Sequence, residues 1–245
     1  MATAPLVLIT GASRGIGAAT AKLAAARGYD VGVNYVSDRK AADEVVAAVE
    51  KAGRRAVAIQ ADMGKEADIE RMFAEVDKLG RLTHLVYNTG ITGTLSRVED
   101  VPTETLRQVF DVNVIGAFLS AKHAVRRISV KHGGQGGAMV LISSAMSTLG
   151  GAGEYTWYAA SKAAIECMTL GLARELTGDR IRVNAVAPGP IITDIHPPGR
   201  LERIAPNVPM GRPGTVDEIA EAILFLLSEQ SSYTDGVTLR VAGAR

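Results

Sequence analysis

Leu6-Val-Leu-Ile-Thr10-Gly-Ala-Ser-Arg-Gly15-Ile-Gly17 passes from a short apolar run into a turn with glycines at 11, 15 and 17, and an alanine-rich segment follows. The glycines allow a tight turn, close backbone approach to a diphosphate, and close packing of the following helix on the strand. The N-terminus of that helix would face the anion with its unpaired N–H groups. The spacing differs from G-x-G-x-x-G, and the Lys-Ser/Thr ending of a triphosphate-binding loop is missing, which argues against a nucleoside triphosphatase. The stretch therefore predicts a dinucleotide site built from Gly11, Ser13, Arg14, Gly15, Ile16 and Gly17.

Outward from this turn the same alternation continues. Leu6 to Thr10, Asp30 to Tyr35, Ala56 to Ala61, Thr83 to Asn88, Ala138 to Ser143, Ile181 to Val186 and Val237 to Val241 read as strands, and most are too continuously apolar to have one wet face. Between them lie helical periods, such as Ile69, Met72, Phe73, Val76 and Leu79, or Ile219, Ile223, Leu226 and Leu227. Buried strands separated by helices predict a doubly wound, Rossmann-like α/β fold: a seven-stranded parallel sheet with helices on both faces. With no linker, repeat or composition break, residues 1–245 are expected to form one domain. The glycine-rich run from His132 to Gly137 precedes a strand rather than a helix, so it reads as a connection and not a phosphate loop.

Composition narrows the partners. Hydrophobic residues make up 47% of the 245 and charged residues 22%, ordinary values for a globular protein. Lys and Arg number 27 against 26 Asp and Glu, a net charge of +1, so neither nucleic acid nor an anionic membrane is an expected partner. The one cysteine, Cys167, lies in an apolar helical pattern and is expected to be a buried free thiol in a reducing compartment. No signal segment or membrane span is read, and the expected location is cytoplasmic. His84, His123, His132 and His196 are dispersed without ligand spacing, so no metal site is expected.

The end of the second strand bears on the choice of dinucleotide. An acid about 20 residues beyond the glycines would hold the ribose hydroxyls of NAD, but the chain reads Val33-Asn34-Tyr35-Val36-Ser37 before Asp38. With no carboxylate at Asn34 or Tyr35 to repel a 2′-phosphate, and with Arg14 and Arg39 nearby, NADP(H) is favoured over NAD(H). Asp62 after the third strand is open to two readings, acceptor for an adenine amino group or turn residue. Farther along, Tyr158-Ala-Ala-Ser-Lys162 places a phenol and an ammonium about one helical turn apart, roughly 6 Å along the axis. A cation beside a phenol moves its pKa from about 10 toward working range, which makes Tyr158 a candidate general acid-base group.

Taken together, Thr10-Gly-x-x-x-Gly15-x-Gly17, Asp62, Asn113, Ser144, Tyr158-x-x-x-Lys162 and Pro188-Gly-x-Ile191-x-Thr193 resemble the short-chain dehydrogenase/reductase family, in its order and over essentially the whole chain. Two departures stand out. Tyr87-Asn88-Thr89-Gly90 replaces the family's Asn-Asn-Ala-Gly, and the interval from Ser144 to Tyr158 is one residue longer than is commonest, leaving Ser143 as the alternative holder of the serine role. The resemblance implies that Tyr158 is the catalytic acid, that Lys162 lowers its pKa and binds the nicotinamide ribose, that Ser144 holds the carbonyl oxygen, and that Asn113 completes a proton relay. It further implies cofactor contacts from Asn34, Tyr35, Asp62, Met63, Asn88, Gly90, Pro188, Gly189, Ile191 and Thr193, a substrate lid near 193–212, and a homotetramer. The implied reaction is hydride transfer between NADP(H) and a carbonyl or alcohol, with 3-oxoacyl-thioester reduction favoured and sugar or secondary-alcohol oxidation as the alternative. A non-catalytic NADP(H) sensor or scaffold is the reading from another class, and the complete Ser144, Tyr158 and Lys162 set stands against it. Tyr155, with Ala159 at the matching spacing, is expected to be a pocket wall.

Overall fold

The structure, a computed structural model, describes residues 4–196 and 198–245. β1 (Leu6–Ile9) has four buried side chains because both of its faces are covered. It leads into α1 (Gly15–Ala26), β2 (Asp30–Tyr35), α2 (Arg39–Lys51), β3 (Ala56–Gln60), α3 (Glu66–Leu79) and β4 (Leu82–Tyr87). The second half supplies α4 (Thr103–Phe110), α5 (Gly116–Ile128), β5 (Gly137–Ile142), the short α6 (Met146–Leu149) and α7 (Thr156–Leu176). It closes with β6 (Ile181–Pro188), α8 (Arg200–Ile204), α9 (Val216–Leu227) and β7 (Thr238–Val241).

All seven strands pair in parallel, as the apolar runs predict, and they lie in the order β3-β2-β1-β4-β5-β6-β7. The period of two along β1 sorts the core. Leu6 and Leu8 pack with residues of α3, α5 and α7 on one face, while Val7 and Ile9 pack with residues of α1, α2 and α9 on the other. The chain leaves β1 toward β2 but returns to β4 on its other side, so the carboxyl ends of β1 and β4 flank the crevice where ligands bind in such sheets.

Two local expectations change. Cys167 is exposed, not buried. α7 is apolar around most of its circumference, so periodicity does not separate its faces; Ile165 and Met168 face the sheet while Ala163, Cys167 and Leu170 form an outer stripe. The long helical segment from Thr103 is also interrupted: a π-helical turn at Asp111–Ile115 joins α4 to α5. Among the described residues no helix is long and apolar enough to cross a membrane, and no group of three His, Cys, Asp or Glu is placed to hold a metal ion.

Candidate active site

The glycine turn is fixed from behind by side chains of neighbouring strands. Thr10 Oγ1 accepts from the backbone N–H groups of Asn88 and Thr89, each at 3.0 Å, and Asn88 Nδ2 donates to the carbonyls of Thr10 and Gly11, each at 3.0 Å. Asn34 holds the other side. Its Oδ1 accepts from Gly11 N at 2.9 Å while its Nδ2 donates to the Ala61 carbonyl at 3.0 Å. Gly11 and Gly15 adopt φ of +60° and +56°, which a side chain would strain. At Gly17 a Cβ would lie 2.3 Å from the Gly11 carbonyl oxygen, so only glycine lets α1 start this close to the turn.

α1 begins at Arg14 in extended conformation, with no side-chain cap and no acid in its first turn. Its first N–H groups are thus left for a ligand, and the dipole favours an anion there. The turn opens into a cleft of about 390 Å³ that runs from Tyr35 and Asp38 past Asn88 and Gly90 to Ser144, Tyr158 and Lys162. These features fit the diphosphate of a dinucleotide.

Of the predicted cofactor contacts, Gly11, Ser13, Arg14, Gly15, Ile16, Tyr35, Asn88, Gly90, Tyr158, Lys162, Pro188, Gly189, Ile191 and Thr193 line this cleft. Gly17, Asn34, Asp62 and Met63 do not. Gly17 lies behind the turn, and Asn34 is fully buried with its carboxamide spent on the backbone at the ends of β1 and β3. Asp62 accepts from Gly64 N at 2.9 Å and sits 3.7 Å from Lys65, which is the turn role. Met63 is buried in the core beneath α5.

At the far end β5 delivers Ser143 and Ser144, and α7 delivers Tyr158 and Lys162. Ser143 Oγ lies 2.8 Å from Glu166 Oε1 and 3.0 Å from the Lys162 carbonyl, so that hydroxyl points away from the tyrosine. Ser144 Oγ accepts from Met146 N at 3.2 Å, and its hydroxyl is near enough to the Tyr158 phenol to pull the phenol pKa down, as does the charge of Arg200. Burial outweighs both and leaves Tyr158 above its ordinary value. This differs from the lowering expected from sequence: the phenol is held protonated, the form a general acid needs. Lys162 Nζ lies 5.7 Å from the Tyr158 ring centroid and donates to the Ile142 carbonyl at 2.7 Å. Burial depresses its pKa to about 8. Asn113 does not reach the cleft; from the π turn its amide spans Ile91 N and O, each at 2.9 Å, and donates to Ser161 Oγ at 3.0 Å. Tyr155 lines the cleft as its wall.

Two features escape sequence reading. Glu166 gathers the hydroxyls of Ser143 and Ser147, the latter at 2.6 Å, onto one carboxylate oxygen, tying the loop that carries Ser144 to α7. Its position four residues after Lys162 was the available signal. Tyr87, where the family has Asn, is fully buried and donates its hydroxyl to the Val112 carbonyl in the π turn. Gly116 makes the room, since a Cβ there would lie 2.5 Å from the Tyr87 oxygen.

Comparison with known proteins bears on this geometry. A family model described as enoyl-(acyl carrier protein) reductase matches residues 11–243. The uncharacterized oxidoreductase YgfF of Escherichia coli is 44% identical over 245 residues, covering 98% of this chain and 99% of that protein. A 3-oxoacyl-[acyl-carrier-protein] reductase of Synechocystis is 37% identical over 243 residues, covering 98% and 96%. Among solved structures, a short-chain dehydrogenase from Burkholderia cenocepacia in complex with NADP superposes with a TM-score of 0.92 at 33% identity, covering 98% of this chain and 96% of that one. Agreement along the full length in both sequence and backbone makes this chain a member of the short-chain dehydrogenase/reductase family of oxidoreductases.

Proposed function

We propose that the protein reduces a carbonyl group with NADPH, Tyr158 donating the proton. The observation that carries this reading is that the Tyr158 phenol, flanked by Lys162, lines with Ser144 the cleft that starts at the glycine turn. NADPH, when bound, supplies the hydride. Tyr158 gives its proton to the substrate oxygen, Ser144 holds that oxygen beside the phenol, and the Lys162 ammonium stabilises the phenolate that remains. Asn113 acts through backbone positioning, because its carboxamide fixes Ile91 and α7 without entering the cleft.

NADP(H) is favoured over NAD(H) by the adenosine end. Arg14 is exposed and has no ion pair among the described residues. Asp38 caps α2, accepting from Ala41 N at 2.9 Å, and Arg39 is held by Asp43 at 2.8 Å, while Arg14 lines the cleft at the glycine turn as a cation free to meet a 2′-phosphate. The Synechocystis relative favours a 3-oxoacyl thioester as substrate over a sugar or secondary alcohol. The described residues among 193–212, including α8, act as the lid over the substrate end. Exposed Ile115, Phe118 and Leu170 on the outer faces of the π turn, α5 and α7 favour a homotetramer, which light scattering tests.

The test is NADPH consumption over a panel of ketones, oxoacyl thioesters and sugars, with calorimetry of NADPH and NADH beside it. Turnover with a carbonyl and tighter NADPH binding are expected. Absence of turnover across the panel, with NADPH bound, would instead favour a sensor or scaffold.

A further inference from the structure

The substrate end of the cleft carries a cation that the reduction chemistry does not use. Arg200, on the first turn of α8, lines the cleft with its side chain only 12% exposed. Its guanidinium lies 5.5 Å from the Tyr155 ring centroid and close enough to Tyr158 for its charge to act on the phenol. Two of its five N–H donors are taken: Nη2 donates to Glu154 Oε2 at 2.8 Å, and Nη1 to His196 Nδ1 at 3.0 Å. Its Nε is buried with no acceptor among the described residues.

The surroundings fix both the orientation and the charge of this group. His196 Nε2 lies 3.1 Å from the Ile191 carbonyl, so the ring carries its proton there and accepts from Arg200 through Nδ1. That arrangement requires a neutral imidazole, and burial together with Arg200 holds the pKa of His196 below its ordinary value. Glu154 is shared, because Arg203 Nη2 sits 2.6 Å from its other oxygen. The Arg203 side chain is 62% exposed, so solvent screens its charge, and Glu154 is divided between the two guanidinium groups rather than committed to Arg200 alone. Of the acids lining the cleft, Asp38 is at the adenosine end and Asp194 is exposed at the rim, where solvent screens it. The apolar side chains of Met146, Leu149, Ile195 and Ile204 line the same cleft.

An oriented guanidinium with three N–H donors unpaired among the described residues, lining the same cleft as the proton donor and several apolar side chains, suits a carboxylate on a short hydrocarbon. We propose that Arg200 is the specificity-determining residue of this site and that the substrate class is an oxo acid, its free carboxylate bound by Arg200 while its ketone faces Tyr158 and Ser144. This rests on the carbonyl-reduction reading alone and departs from the thioester preference drawn from the Synechocystis relative, choosing a free acid over a thioester, ketone or sugar.

The test uses the purified protein with NADPH and three substrates of one chain length: a 3-oxo carboxylate, its neutral thioester and the methyl ketone without the acid group. The ratio of kcat/KM for the oxo acid to that for the ketone is read in the wild type, Arg200→Met and Arg200→Lys, with thermal melting to establish that each variant is folded. The ratio is expected to exceed unity in the wild type and to fall roughly 10- to 100-fold in Arg200→Met, the scale of a lost hydrogen-bonded charge pair. The fall should lie mainly in KM, with partial recovery in Arg200→Lys. If Arg200→Met fails to fold, the wild type and Arg200→Lys still decide, since a wild-type ratio below unity is by itself contrary. Preference for the thioester or ketone, or a ratio that Arg200→Met does not change, overturns the oxo-acid assignment and leaves carbonyl reduction standing. No NADPH oxidation with any of the three, with NADPH bound, removes the reduction reading and the assignment with it.

Discussion

Asn34→Asp is an isosteric change at the position where many dinucleotide sites carry an acid, and the structure predicts that it damages the fold rather than switching the cofactor. The orientation of the Asn34 amide is fixed by chemistry: Gly11 N–H donates to Oδ1 at 2.9 Å, while the carbonyls of Ala61 and Ile59, at 3.0 and 3.3 Å, accept only from Nδ2. A carboxylate keeps the Gly11 bond but turns the other face into oxygen against carbonyl oxygens, in a site with no solvent exposure. Lost bonding and unsatisfied acceptors at about 1–3 kcal/mol each give a destabilisation of roughly 3–5 kcal/mol at pH 8. The new acid has its pKa raised in the folded state, since its protonated form alone can donate to Ala61. Its penalty therefore grows as pH rises through that raised value and shrinks toward pH ~4, where the unfolded acid also protonates. Urea unfolding of both proteins at pH 8 and pH 5 measures this, and the stability gap should be smaller at pH 5. Wild-type stability at pH 8 combined with a gain in NADH affinity would refute the placement of Asn34 behind the turn.

Three further outcomes follow from the same geometry. Glu166→Ala releases the Ser143 and Ser147 hydroxyls, so kcat should fall by about 10-fold or more with little change in NADPH affinity, and Glu166→Gln, which keeps an acceptor, should recover most of it. Steady-state kinetics beside NADPH titration check this, and unchanged kcat in Glu166→Ala would contradict it. Lys162 has its pKa depressed to about 8, so it is a cation below that pH and neutral above; kcat/KM for reduction should be level below pH 8 and decline above it, and a profile flat to pH 9.5 would exclude an essential ammonium. Gly116→Ala sets a Cβ 2.3 Å from the Met63 carbonyl oxygen and 2.5 Å from the Tyr87 hydroxyl, and Tyr87→Phe strips the Val112 carbonyl of its donor. Each should cost about 1–3 kcal/mol in urea unfolding.

The sheet was legible because parallel strands buried on both faces leave continuous apolar runs, and each of the seven lies within two residues of where those runs place it. The cleft was legible where motif residues face it, as Gly11, Gly15, Ser144 and Tyr158 do. Sequence gave no view of which side a side chain takes at a strand end. Asn34 and Tyr35 are adjacent in β2, yet only Tyr35 reaches the cleft, since successive residues point to opposite faces. The outer stripe of α7 was missed for a related reason: small apolar residues on both sides of a helix erase the contrast that marks its inner face. The pairing of Arg200 with Glu154 joins residues 46 apart, and no local pattern announces it.

The central claim is that Tyr158 delivers the proton to a carbonyl as hydride arrives. Tyr158→Phe removes one oxygen from a half-buried ring and leaves the glycine turn and Arg14 untouched. Calorimetry with NADPH and single-turnover reduction of the best substrate, measured on the same preparation, separate binding from chemistry. The account predicts NADPH affinity within a few-fold of wild type and a reduction rate lower by about 10²-fold or more. Near-normal reduction by the phenylalanine variant would contradict it.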